Sequence, residues 1–126
     1  MNQFNHERLH VYHLAADFVV LAENLIVGLP RQRRHLADQL HRAATSIPLN
    51  IAEGAGEFSP KEKVRFYRIP LRPATECASI LDLLHRLAAI PSESIRDGRI
   101  LLLRTVSMLV KLCKREHGTA TEETAD

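Results

Sequence analysis

Apolar residues recur along this chain at steps of three and four, the spacing of one helix face and not of a strand. Val11, Leu14, Phe18, Leu21, Leu25 and Leu29 set the pattern first and predict a helix over residues 7–29, closed by Gly28 and Pro30. Leu36, Leu40, Ala43, Ile47 and Ile51 predict a second over residues 33–53. Pro48 lies inside it and should bend it, because its ring lacks an N–H and crowds the preceding turn. Gly54 and Gly56 are the expected stop.

The third helix has the clearest start. In Ser59-Pro60-Lys61-Glu62, the serine suits the N-cap and the proline the first helical position. Glu62 is placed to reach back to the cap N–H. Its stripe runs through Phe66, Pro70, Pro73, Cys77, Leu81, Leu84 and Leu87. A helix-interior proline costs roughly 3 kcal/mol against alanine. The pattern therefore predicts a kink or break between Arg68 and Thr75, with helix resuming to Ala88.

A fourth helix is expected from Ser92 or Ser94 to near His117, on Leu102, Val106, Leu109 and Cys113. Leu103 and Val110 widen that stripe beyond a two-helix seam. Residues 118–126 are polar and small, and are expected to form a disordered tail outside a domain of residues 1–117. Short connections favour antiparallel neighbours. The prediction is an all-α, up-and-down four-helix bundle, with a three-helix bundle or open array as alternatives.

Composition sharpens this picture. Apolar residues make up 45% and aromatics only 5% of the 126 residues, so aliphatic packing must build one core. The wide apolar faces of helices one and four exceed what one bundle buries, which predicts self-association. Cys77 and Cys113 sit in apolar stripes without metal or redox spacing and read as reduced thiols. No basic start precedes an apolar stretch, and no run reaches the roughly 20 apolar residues of a membrane span. The expected location is the cytoplasm.

Charge is uneven. Net charge is +2, yet residues 31–115 hold sixteen Lys and Arg against eight Asp and Glu, a net +8. Lys61, Arg65, Arg68 and Arg72 recur at helical spacing opposite the third stripe, with Lys63 nearby. Arg31, Arg33, Arg34 and Arg42 form a second group. Such groups suit phosphates, which position nucleic acid without reading its sequence. The alternative is a solvated face whose long stems cover apolar surface.

Catalytic patterns are missing. A di-iron bundle needs a pair of Glu-x-x-His motifs, and no such pair occurs. Gly54-Ala55-Gly56 lacks the lysine and preceding strand of a phosphate loop. Ser46 and His41 are five apart on a helix and point in different directions. His6, His10 and His13 share a face, but no carboxylate completes a metal site. No enzyme activity, metal or cofactor is expected. Asn50 and Glu53 follow Pro48 at a helix C-terminus, where a carboxylate is unfavourable and calls for a partner: Arg65 or Lys61 across the turn, or an intersubunit contact.

Phe4, Leu9, Val11 and Tyr12, the block from Gln39-Leu40 through Arg42-Ala43-Ala44, Ser46-Ile47-Pro48 and Asn50-Ile51-Ala52-Glu53-Gly54, and Ser59, Glu62 and Phe66 together carry a resemblance. The sequence resembles a small bacterial four-helix bundle family. It includes proteins encoded in intervening sequences of 23S ribosomal RNA genes and accessory proteins of diversity-generating retroelements. The resemblance implies an antiparallel bundle assembled as a homopentameric barrel. For retroelement members it implies nucleic-acid binding and a reverse transcriptase partner. Ser46, Pro48, Asn50, Glu53 and Gly54 match the family's helix-two end, and Arg42 and Arg65 match positions where basic residues are common. No catalytic residues carry over. The chain departs in helix three, where a small Gly-Ser pair of many relatives is Arg72-Pro73 and an alanine is Pro70, so a close helix contact there should change.

Overall fold

A computed structural model describes the backbone of residues 2–125 and the side chains of residues 2–118. After a 3-10 turn at Asn5–Arg8, the helices are α1 (His10–Val27), α2 (Arg34–Ala55), α3 (Pro60–Arg68), α4 (Leu71–Arg86) and α5 (Ser92–Ala125). A second 3-10 turn, Arg31–Arg33, leads into α2. α3 and α4 form one broken rod, so the architecture is an antiparallel four-helix bundle. α1 packs on α2 and α5, and the α3–α4 rod packs on the same two. α1 and the rod are thus diagonal, as are α2 and α5.

The core stripes follow the expected periodicity. Val11, Leu14, Phe18, Leu36, Leu40, Ala43, Ile47, Ile51, Cys77, Leu81, Leu84, Leu102 and Leu109 are all buried. α1 starts later than expected because Leu9 takes an extended conformation and separates it from the 3-10 turn. α1 is 18 residues long with a mean hydropathy of 1.3, enough by length and composition alone to cross a membrane, although it is shorter than the roughly 20 apolar residues sought in the sequence and carries Asp17 and Glu23. Its Val11, Leu14, Ala15, Phe18 and Ala22 nevertheless lie in the bundle core.

The break in the third rod falls at Ile69-Pro70, where both prolines explain it. Pro70 occupies the N-cap of α4 and Pro73 its first turn, where helix N–H groups have no intrahelical acceptor. Ile69 and Pro70 keep helical dihedrals, with φ of −55° and −64°, so the chain steps through without turning away. The buried face differs from the expected stripe at two places. Tyr67 is buried at 2% exposure in place of the expected Phe66, and Leu87 is 45% exposed.

α4 ends at Arg86 because Ala88 adopts a left-handed conformation, φ 57°. The Ala89 N–H donates back to the Leu84 carbonyl and closes that end. The α5 backbone continues to Ala125. The disordered tail expected over residues 118–126 falls, Gly118 apart, outside the residues with described side chains.

Both cysteines are free. Burial pushes the Cys77 thiol up from 9.0 to about 12, with Glu76 adding to the shift. Burial pushes the Tyr67 phenol from 10.0 to about 12, aided by Glu116. The unfolded chain releases these protons first, so folding retains full stability below the unfolded values and loses it as pH rises through the folded ones. The melting temperature should therefore fall steadily between about pH 9 and pH 12. Cys77→Val should flatten the first part of that slope in a pH series of thermal melts.

Candidate nucleic-acid interface

Ser59 accepts from the Glu62 N–H at 3.1 Å and caps α3 as expected. The Glu62 carboxylate turns forward and accepts from Arg65 at 3.0 Å, so it does not complete the expected capping box. Arg65 also lies over the Phe66 ring, 5.3 Å from its centre. Lys61, Arg65 and Arg68 are all exposed along this nine-residue helix. Arg68 lies near Cys113 of α5, and its charge partly offsets the upward push of burial on that thiol.

Lys63 does not join this surface. Its Nζ donates to the Ala55 carbonyl at 3.0 Å and approaches that of Gly54 at 3.5 Å. It neutralises the negative end of α2, the task expected of Arg65 or Lys61 beside Glu53. Glu53 itself is exposed and makes no ion pair among the described residues.

The eight predicted cations do not form one patch. Arg31, Arg33 and Arg34 lie at the start of α2, while Lys61, Arg65 and Arg68 follow its end. The 22 residues of α2 place these groups about 30 Å apart along the helix. Arg33 is half-buried, with its Nε enclosed and unpartnered. Arg42 lines a groove of about 320 Å³ with Gln39, Ala43, Ser46, Pro73 and Glu76. Arg72, in the first turn of α4 beyond the rod's break, is exposed. Of the eight, only Arg65 has a carboxylate partner among the described residues.

The α2 motif is mostly architectural. α2 remains helical through the buried Pro48. Around it, the Ser46 hydroxyl donates to the Ala43 carbonyl at 2.7 Å, and the Asn50 amide donates to the Ser46 carbonyl at 2.8 Å. These bonds brace the turns where proline removes a donor. Gly54 is not the expected stop: it lies buried inside α2, and Gly56 is the C-cap. A Cβ on Gly54 would stand 2.7 Å from the Tyr67 ring and 3.0 Å from the Phe66 Cβ, so its lack of side chain lets α3 approach.

The outward face of α5 is basic as well as apolar, beyond the two cation groups expected from the sequence. Exposed Arg96, Arg99, Lys111 and Lys114 flank Leu103 and Val110, which are 60% and 36% exposed. The three-residue steps from Arg96 to Arg99 and from Lys111 to Lys114 are the sequence signal for this face. The three histidines expected on one face are engaged separately: His13 of α1 with the Glu7 carbonyl, His6 of the first 3-10 turn against the Tyr12 ring, and His10 of α1 beside Arg104. Among the described residues no three metal-ligating side chains converge.

The geometry defines an all-α bundle with basic helical surfaces. A sequence family described as 23S rRNA-intervening sequence protein matches residues 7–111, most of the chain, and the protein belongs to that family. The fold is similar to the crystal structure of a protein of unknown function from the S23 ribosomal protein family of Bacteroides thetaiotaomicron VPI-5482. That likeness has a TM-score of 0.76 at 25% identity and covers 82% of this chain and 98% of the other. No curated protein matches.

Proposed function

We propose that this protein is a non-catalytic, self-associating accessory protein that holds nucleic acid by its phosphates. The observation that carries this reading is α3, a short helix presenting Lys61, Arg65 and Arg68 to solvent with one carboxylate partner between them. Unneutralised side chains on a rigid helix gain free energy by releasing counterions from a polyanion. The family's tie to ribosomal RNA genes makes structured RNA the first ligand to try. Self-association draws on exposed apolar side chains, among them Val20 at 61%, Val27 at 86% and Leu103 at 60%. A reverse transcriptase partner and pentameric stoichiometry come from the resemblance alone and form no part of this reading.

Arg65→Glu with Arg68→Glu should weaken binding to structured RNA, duplex DNA or an RNA–DNA hybrid by at least about tenfold, since each lost phosphate contact becomes a repulsion. Arg31→Glu with Arg34→Glu, at the other end of the bundle, should have a smaller effect. Fluorescence anisotropy with labelled ligands measures both. Equal losses would show that α3 has no special role. A second reading, a protein-interaction module without a nucleic-acid role, rests on the same exposed apolar residues and predicts no binding in any of these titrations.

A further inference from the structure

The chain has four Phe and two Tyr, and all but one of these rings have a place in the fold. Phe18 and Tyr67 are buried, Phe66 lies under the Arg65 guanidinium, and Phe4 and Tyr12 each contact the His6 ring. Phe58 is 100% exposed and makes no ring contact among the described residues.

Local structure explains why that ring is free. Phe58 directly precedes Ser59, the N-cap of α3. An apolar residue there ordinarily packs against the fourth residue of the helix. Here the fourth residue is Lys63, whose Nζ turns back to the Ala55 carbonyl at 3.0 Å. No such staple forms.

One exposed apolar side chain is ordinary by itself. Phe58 is set apart by its place at the end of the α3 cations. Lys61, Arg65 and Arg68 follow it at steps of three, four and three residues, and all are exposed. From Lys61 to Arg68 the helix rises about 10 Å, roughly three nucleotide steps of one strand. Glu53 and Glu57 precede the ring and have no ion-pair partner among the described residues. They repel phosphate, so a polyanion that reaches Phe58 must run along α3 and not along α2.

We infer that α3 and its turn take an unpaired strand: one base stacks on Phe58 while Lys61, Arg65 and Arg68 track the phosphates that follow. This inference rests on the phosphate-holding reading above and adds the form of the ligand. Every base has a π-face, so such stacking tolerates any sequence. In a duplex those faces are covered by neighbouring pairs, and the ring finds none unless it wedges a step open. A loop or bulge of a structured RNA offers a free one.

Fluorescence anisotropy tests this with a labelled single-stranded oligoribonucleotide and the same strand annealed to its complement, at one salt concentration. Charge alone favours the duplex, the denser polyanion. Stacking should reverse that order. Phe58→Ala should weaken single-strand binding by at least about fivefold. It should leave the duplex affinity and the salt slope unchanged, because the ring neutralises no phosphate. Phe58→Trp should keep the single-strand preference, and Phe58→Leu, apolar but without a ring, should lose it. The ring is fully exposed, so helical dichroism should be the same for all three variants. Equal binding of the two forms, or a single-strand affinity untouched by Phe58→Ala, overturns the inference and leaves phosphate holding intact. Absence of binding to either form removes both. A fall in sedimentation mass for Phe58→Ala assigns the ring to a second copy of the chain and overturns the inference as well.

Discussion

Phe18→Ala is expected to lower the free energy of unfolding by about 3–5 kcal/mol, the largest effect of any single truncation proposed for this bundle. Phe18 is 0% exposed and heads the fully buried side chains by volume. It sits at mid-bundle, where a Cβ added at Gly98 of α5 would come within 3.6 Å of its ring. Its neighbours are fixed helices that cannot collapse far into the space left behind. Loss of the ring thus removes transfer free energy and leaves a cavity. Domains of this kind are stable by only about 5–15 kcal/mol, so the variant should be near its folding threshold. Urea titration measures the change, with an unaltered dependence on denaturant if the unfolded state is unaffected. A loss under about 1 kcal/mol would place Phe18 outside the core.

Gly54→Ala is the second, and its sign runs against helix propensity. In an exposed helix, alanine would stabilise by about 1 kcal/mol over glycine. Here its Cβ would meet Tyr67 ring carbons at 2.7 and 2.8 Å and the Phe66 Cβ at 3.0 Å. The last of these is anchored at the backbone, so relief requires α3 to move. Overpacking of this sort costs about 1–3 kcal/mol, and a net loss of about 1–2 kcal/mol is expected. Gly98→Ala is the control: its close neighbour is the Leu81 Cδ1 at 2.6 Å, the free end of a side chain that can rotate. Gly98→Ala should therefore cost less. Because α3 also carries Lys61, Arg65 and Arg68, Gly54→Ala should weaken nucleic-acid binding as well, while Gly98→Ala should not.

The helix stripes were legible because burial of one helix face imposes a period that side-chain chemistry records directly. The α3 start was legible because serine capping and a first-turn proline are local effects. The Pro70–Pro73 break was legible for the same reason, since two missing donors three residues apart act on their own segment. What lay beyond reach was set by contacts between segments. Phe66 and Tyr67 are adjacent, so which of them enters the core depends on the phase that α3 takes against α5. Lys63 looked like surface charge because its long stem conceals which carbonyls it reaches. Gly54 looked like a stop, although its role is set by a tyrosine thirteen residues later. The basic candidates were legible as residue types, but their division between two ends of α2 required the fold.

The account's central claim is that the exposed cations of α3 hold a phosphate backbone. A salt series of anisotropy titrations, using labelled structured RNA and duplex DNA with the unmodified chain, tests it most directly. The account predicts that log affinity falls linearly with log salt. On duplex DNA, a slope of about −2 to −3 would match roughly three phosphate contacts by Lys61, Arg65 and Arg68. Lys61→Gln with Arg68→Gln should make that slope shallower by between one and two. No salt-dependent binding to either ligand at low micromolar protein, or a slope unchanged by those substitutions, would contradict it.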